Sequence, residues 1–201
     1  VCVKLLEKNF FIPIYEWHRQ RGTILANDNG GRGKIAAGRS FYGDYFRTMR
    51  WYMAPGNDDP NLHGPRAFKG FKVNSSIAHL YKRSGVWNEA FHSSGWGVTP
   101  AQIIAGLNED FVYGATVCCL HGLYYTTYGG WWEWAPPDFH FRQPYWAHID
   151  VMIQYIRRLS YLLSQGAHCC DVAILYPITT IEANINASEA EEHAFALGRY
   201  L

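Results

Sequence analysis

The sequence lacks an excess of charge of either sign, and it lacks any long hydrophobic run. The 18 Lys and Arg residues nearly balance the 17 Asp and Glu residues, and no long block of one sign occurs. This balance argues against a surface for nucleic acid or an anionic membrane, so neither partner is expected. Because no apolar run approaches the roughly 18 residues that a membrane-spanning helix needs, we expect no transmembrane segment.

Several short signals are missing as well. The chain starts without an initiator methionine or a signal peptide, so we interpret it as part of a longer polypeptide whose localisation is not readable from these residues. The Gly-rich stretch 29–33 has no G-K-S/T and opens no helix, which argues against a phosphate-binding loop. The five cysteines form no C-x-x-C pair, and four lie in apolar runs, so we predict buried free thiols. These absences make a non-sugar α/β enzyme the least favoured class.

Aromatic residues, by contrast, are abundant. They make up 16% of the chain, with 8 Trp and 14 Tyr. Such an excess is typical of sugar-binding clefts, because the flat apolar faces of sugars stack on aromatic rings; a Trp-rich core is the alternative. The stretch 129–137, G-G-W-W-E-W-A-P-P, predicts an exposed aromatic loop. Within it we predict four substrate-binding residues, with packing against a neighbouring domain as the alternative: Trp131, Trp132, Glu133 and Trp134.

Hydrophobic periodicity predicts helices that alternate with short apolar strands. We predict helices over residues 4–21 (interrupted or kinked at Pro13), 40–53, 73–84, 99–113, 144–165 and 188–200. We predict strands over residues 23–28, 86–91, 116–121 and 170–177, and loops over 54–60 and 179–186. This alternation is typical of parallel βαβ units, so an α/β fold is the expected class.

The carboxyl ends of the predicted strands carry the candidate catalytic residues, as parallel α/β folds generally arrange them. Glu89 and His121 lie at the ends of neighbouring strands, and strand alternation turns both towards the same mouth. We predict Glu89 as a catalytic acid or base and His121 as its catalytic partner. The alternatives are that Glu89 caps a neighbouring loop and that His121 is a satisfied core histidine.

Acid/base hydrolysis of a glycoside needs a second carboxyl group. Asp28 is a candidate because it ends the first predicted strand. Asp59 is a candidate in the Pro/Gly turn, where Asp also commonly makes purely local hydrogen bonds. Asp58 and Asp59 are equally good candidates for the second carboxyl group on sequence grounds, and we choose Asp59 for the prediction. His92 and Tyr124, which follow the second and third predicted strands, are predicted to bind substrate.

Three segments, in their order and spacing, resemble glycoside hydrolase family 106, the α-L-rhamnosidases and their relatives. They are V-W-N-E-A-F-H-S-S-G-W-G-V-T-P (86–100), F-V-Y-G-A-T-V-C-C-L-H-G (111–122) and R-L-S-Y-L-L-S-Q-G-A-H-C-C-D-V-A-I-L-Y-P (158–177). The resemblance spans most of the chain. It implies an α/β fold built as a partial (β/α)8 TIM-type barrel, with residues 1–166 as its carboxyl-terminal half. Residues 167–201 are then the first βα unit of a following flavodoxin-like domain.

The same resemblance implies an activity: inverting hydrolysis of terminal α-L-rhamnose or a related deoxysugar. Glu89 matches the family's strand-end glutamate, and His121 matches a histidine that faces the sugar pocket. No position matches the family's second catalytic carboxylate, so a catalytically inactive carbohydrate-binding relative is the alternative. The resemblance also implies a nearby calcium ion, a carbohydrate substrate, contacts with the rest of the same polypeptide, and a periplasmic or extracellular location. Because half a barrel leaves strand edges unpaired, these residues alone are predicted to be inactive and prone to aggregate.

Overall fold

The computed structural model describes residues 2–28, 43–59, 65–128 and 135–200. A π-helical turn (Glu7–Phe11) joins α1 (Cys2–Leu6) to α2 (Ile12–Arg21), and a 3-10 turn (Trp146–His148) leads into α6. The other helices are α3 (Tyr45–Met49), α4 (Pro65–Leu80), α5 (Pro100–Val112), α6 (Ile149–Leu163), α7 (Ile178–Glu182) and α8 (Ala187–Tyr200). The strands are β1 (Gly56–Asp59), β2 (Trp87–Ala90) and β3 (Val117–Leu120). Their alternation with α4 and α5 confirms the predicted α/β class.

Within the described residues, the three strands form one parallel sheet in the order β1-β2-β3. Asp58 is paired with Glu89, and Glu89 is paired with Cys119. An isolated parallel bridge joins Ala26 to Ala54, so the segment around Ala26 lies beside the start of β1. The carboxyl ends of all three strands therefore meet at one edge of the sheet.

Helices cover one face of this sheet. Asn88 on β2 is buried and donates to Asp110 of α5 at 2.7 Å. Cys118 on β3 packs against an apolar cluster that joins α5 to α6, and burial raises the pKa of its thiol to about 12. Alternate residues of a strand face the other way; there Glu89 is half-buried and Cys119 is exposed. The row of paired residues Asp58, Glu89 and Cys119 therefore lies on the less covered face of the sheet.

The carboxyl-terminal helix α8 packs against α3 and α4. Phe195 belongs to the same apolar cluster as Phe68, and their ring centroids lie 6.1 Å apart. Tyr176, just before α7, donates to Glu191 on α8 at 2.7 Å. Burial raises the pKa of Tyr176, and the charge of Glu191 adds to that rise. The assignment of residues 167–201 to a following domain stays a prediction.

Local sequence signals position α5, the helix that follows the strand of Glu89. The Thr99 hydroxyl accepts from the Gln102 N–H at 3.3 Å, while the Gln102 side chain accepts from the Thr99 N–H at 2.9 Å. Pro100 occupies the first helical turn, where its missing N–H would have no helical partner. This reciprocal capping box confirms the helix start predicted from the sequence.

Replacing Thr99 by Ala should lower the free energy of unfolding by about 1 kcal/mol, because one half of the capping box is lost. Calorimetry of the full-length protein should show this loss as a lower Tm of the transition that includes α5. A Thr179→Ala variant, at an exposed position of α7, is the control and should stay within about 0.5 kcal/mol of wild type. Equal losses in the two variants would contradict a specific role for the cap.

The other predicted helices exist in the structure, but several of them begin or end at residues other than the predicted ones. As predicted, α2 ends at Gly22, which adopts a left-handed φ of 64°. The predicted interruption exists but lies in the π-helical turn, because Pro13 falls in the first turn of α2, where proline is tolerated. The helix predicted over 40–53 is observed as the shorter α3, with residues 40–42 outside the described ranges. In the described part of the chain, no helix is long and apolar enough to cross a membrane.

Several strand and loop predictions are wrong. Residues 56–59 form β1 instead of a turn, because pairing with β2 overrides the turn preference of Gly, Asn and Asp. Residues 23–28 contribute an isolated bridge rather than a strand. Residues 170–177 form no strand in the structure as described: Val172 and Leu175 are exposed, and no neighbouring strand pairs with them. The predicted loop over 179–186 contains most of α7, which begins at Ile178.

The cysteine prediction is half right. All five cysteines fall in described ranges, and all five are free. Burial was expected for four of them, yet Cys118 is half-buried and the others are exposed: Cys2, Cys119, Cys169 and Cys170. The reason is that residues 170–177 are not built into a sheet and that Cys119 lies on the less covered face of β3.

Candidate functional site

Two carboxylates lie side by side where β1 and β2 end. Asp58 and Glu89 are paired in register, and neighbouring strands of a sheet lie about 4.8 Å apart. Because paired residues of parallel strands project from the same face, both side chains extend from the less covered face. Asp58 is 7% exposed and Glu89 is half-buried. The structure thus places a second carboxylate beside Glu89.

His92 lies against Asp58. It follows the end of β2 by two residues and is buried. Its Nε2 contacts Oδ1 of Asp58, and its Nδ1 lies 3.2 Å from the Ser93 hydroxyl. An imidazole held on both ring nitrogens has a set orientation, and it orients the carboxylate in turn. The substrate-binding role predicted for His92 stays a prediction, while its contact with Asp58 is a finding that the sequence did not indicate.

His121 lies at the same edge, directly after β3. Its N–H donates to the carbonyl of Ala90 at 2.9 Å, which extends the ladder between β2 and β3 by one bond. Its ring centroid lies 6.0 Å from that of His92, with the ring planes 69° apart. Its Nδ1 is buried and has no hydrogen-bond partner among the described residues. His121 therefore offers a polar atom at the site, and its catalytic role stays a prediction.

Cys119 lies between Glu89 and His121 in the register of the sheet. It is paired with Glu89, and it precedes His121 by two residues. Partial desolvation and the nearby charge of Glu89 raise the pKa of the Cys119 thiol. A raised pKa keeps the thiol protonated at neutral pH, so Cys119 is not an activated nucleophile.

The remaining predicted catalytic carboxylates lie outside the row of Asp58 and Glu89. Asp59 is paired with Ala90, one position further along the strands. Asp28 lies two residues after Ala26, whose bridge partner Ala54 precedes β1. Catalytic roles for Asp28 and Asp59 stay predictions. The predicted aromatic substrate-binding residues fall outside the described residues: Trp131, Trp132, Glu133 and Trp134.

A buried acid that the sequence reading missed holds the loop after β3. Asp138 is 0% exposed and accepts from the Tyr124 N–H at 3.1 Å and from Arg142 at 2.6 Å. Arg142 also donates to the Tyr124 carbonyl at 3.2 Å. Tyr124 in turn packs against Trp96, with ring centroids 6.0 Å apart. A carboxylate followed four residues later by Arg was the available sequence signal, although it is common on solvent-exposed surfaces.

The calcium ion that the family resemblance implies stays a prediction. In the ranges given above, no group of three or more His, Cys, Asp or Glu residues is arranged to hold a metal ion. Asp58 contacts His92, whereas Ca²⁺ takes six to eight oxygen ligands. We therefore assign no step of the chemistry to a metal.

Comparison with known proteins assigns no family to the chain. A scan of protein-family models, a search of curated proteins and a search of solved structures each find no match.

Proposed function

We propose that this chain carries the acid/base site of a glycoside hydrolase that removes terminal α-L-rhamnose, or a related deoxysugar, from oligo- or polysaccharides. The observation that carries the proposal is the placement of Asp58 and Glu89 at paired positions of neighbouring parallel strands. Two carboxyl groups that flank the scissile bond are the usual machinery of glycoside hydrolysis. The choice of sugar rests on the sequence resemblance to glycoside hydrolase family 106.

In this proposal Glu89 is the acid and Asp58 is the base. Glu89 donates its proton to the glycosidic oxygen as the bond from that oxygen to the sugar's anomeric carbon breaks. Asp58 takes a proton from the water that attacks the anomeric carbon from the opposite side, which inverts the configuration. Inversion needs the two carboxyl groups about 6.5–9.5 Å apart, so the side chains of Asp58 and Glu89 have to diverge from strands that lie about 4.8 Å apart. Glu89 is then ionised and Asp58 protonated, and proton exchange with solvent restores both. His92 orients Asp58 through its contact with Oδ1.

The proposal includes a barrel around the sheet. The strands follow each other in sequence order, the Ala26–Ala54 bridge extends that order upstream, and helices cover one face. These features suit part of a (β/α)8 barrel, whose catalytic residues lie at the carboxyl ends of the strands. The less covered face with Glu89 would then line the barrel interior, and the rest of the same polypeptide would close it.

A catalytically inactive carbohydrate-binding relative is the second candidate. The burial of Asp58 and its contact with His92 favour this alternative, because a general base has to reach a water molecule. In such a protein the residues at the strand ends would hold a sugar without cleaving it. The two candidates differ in turnover and agree in binding, which makes them separable by experiment.

The full-length protein should release 4-nitrophenol from 4-nitrophenyl α-L-rhamnopyranoside, and proton NMR should show the β-anomer of rhamnose as the first product. First appearance of the α-anomer would contradict inversion. No release, together with calorimetrically measured binding of the glycoside to the same protein, would support the inactive relative. Neither release nor binding would overturn both candidates. An α-L-fucoside is the matched control for the identity of the sugar.

A further inference from the structure

An aromatic pair, Trp96 and Tyr124, lies on the two loops that follow β2 and β3. Their ring centroids are 6.0 Å apart and their planes are tilted by 46°. Trp96 is 42% exposed, which is a large exposed area for a Trp ring, and Tyr124 is half-buried. Exposed Trp and Tyr rings of this kind mark binding surfaces, because each has a broad apolar face and a polar edge.

Two contacts and the order of the chain place this aromatic pair near the two carboxylates. Asp58 contacts His92, the His92 ring lies 6.0 Å from the His121 ring, and Tyr124 follows His121 by three residues. Trp96 lies on the loop that follows β2, seven residues after Glu89. The aromatic pair therefore lies at the same edge of the sheet as Asp58 and Glu89, on the loops beyond the strand ends.

Hydrogen bonds hold the loops of the aromatic pair in place. The Gly95 N–H donates to the Pro136 carbonyl at 3.1 Å, which ties the loop of Trp96 to the segment after β3. Asp138 and Arg142 bind the main chain of Tyr124 on both sides, through its N–H and its carbonyl. Rings that are ordered before binding lose little conformational entropy when a ligand stacks on them.

We propose that Trp96 and Tyr124 form the subsite for the leaving group, on which the next sugar ring or an aromatic aglycone stacks. This inference rests on the proposed function, since Asp58 and Glu89 mark where the terminal sugar would lie. A terminal sugar bound over these carboxylates would direct its leaving group outwards, past the histidines and onto Trp96. The preferred substrates are then glycosides with a ring as leaving group, rather than alkyl glycosides.

The test compares two ligands that differ in the leaving group alone, methyl α-L-rhamnopyranoside and 4-nitrophenyl α-L-rhamnopyranoside. Calorimetric titration in a Glu89→Gln background measures Kd without turnover. Trp96→Ala should weaken binding of the aryl glycoside by about tenfold and leave that of the methyl glycoside within twofold. Trp96→Phe should restore most of the loss. Trp17→Ala removes a comparably exposed ring, 50% exposed on α2, and should change neither Kd.

Three other outcomes would each contradict the proposed subsite. An equal loss for both glycosides would place Trp96 under the terminal sugar or in the fold itself, and no loss would remove it from binding. Binding of neither glycoside by protein with Trp96 intact would also overturn it. Failure of the proposed hydrolase function can be distinguished from failure of the subsite. In a protein that binds the glycosides but never cleaves them, the Trp96-dependent difference between the two Kd values would persist.

Discussion

Replacing Glu89 by Gln is expected to lower kcat on a rhamnosyl disaccharide by a factor of about 10²–10⁴, which is the usual contribution of a general acid or base. Gln is nearly isosteric with Glu, so the change removes the proton donor and keeps the half-buried side chain of β2 in place. A sugar leaves poorly without protonation, whereas 4-nitrophenolate is a good leaving group. The loss should therefore be much smaller on 4-nitrophenyl α-L-rhamnopyranoside if Glu89 is the acid.

The contrast between the two substrates distinguishes the roles of the carboxylates. An equally large loss on both substrates would make Glu89 the base and Asp58 the acid, because activation of water is needed whatever group leaves. A Glu189→Gln variant, at an exposed position in the first turn of α8, is the matched control and should keep wild-type kcat. Wild-type turnover by Glu89→Gln would remove Glu89 from the chemistry and sink the proposed mechanism.

Replacing Glu7 by Gln should destabilise the protein by about 3 kcal/mol, the second largest effect that we expect. Glu7 is buried in the π-helical turn and accepts from Arg47 and Arg50 at 2.5 Å each and from the Trp51 indole at 2.8 Å. This one carboxylate joins the amino-terminal helices to the end of α3. Without its charge, two guanidinium groups that are about two-thirds buried lose their partner.

Urea unfolding measures this loss as a lower midpoint at unchanged slope. Glu16→Gln is the control: Glu16 pairs with Arg19 at 2.7 Å on the exposed side of α2, where an ion pair contributes less than about 1 kcal/mol. A midpoint for Glu7→Gln that matches the control would show that the three donors are satisfied equally well by water.

The same carboxylate makes stability depend on acidity. Burial by itself would raise the pKa of Glu7, but hydrogen bonds from Trp51, Arg47 and Arg50 outweigh it and lower the pKa from 4.5 to about 2. Because the folded state holds the lower pKa, this stabilisation is complete above pH 4.5 and is lost as the pH falls towards 2. Wild type and Glu7→Gln should thus differ most near neutral pH and converge as the pH approaches 2. A difference that stays constant over this range would contradict an ionic origin.

Some features of this chain follow from short stretches of sequence. The start of α5 is set within four residues, because any helix start leaves its first N–H groups without helical partners. Here the Thr99 hydroxyl accepts from the Gln102 N–H, and Pro100 has no N–H that needs a partner. The end of α2 at Gly22 is equally local, since a left-handed φ favours glycine. The placement of Glu89 and His121 at one edge of a parallel sheet was also predictable, because the alternation of helix and strand implies that edge.

Other features depend on partners that are distant in the chain. The composition of residues 56–59 favours a turn, and pairing with β2 makes them a strand, which puts Asp58 beside Glu89. The apolar run 170–177 has the composition of a strand but pairs with no strand among the residues that the structure describes. The contact of Asp58 with His92 and the position of Trp96 against Tyr124 likewise join residues more than 25 positions apart.

Short stretches of sequence determined where α5 begins, where α2 ends and which strand carries Glu89, because capping, φ preferences and hydrophobic periodicity act over a few residues. Only the tertiary contacts decided which carboxylate is paired with Glu89, which histidine contacts that carboxylate and which two rings pack together on the loops beyond the strand ends. These depend on strand register, and a shift of one residue in register would turn Asp58 to the opposite face of the sheet.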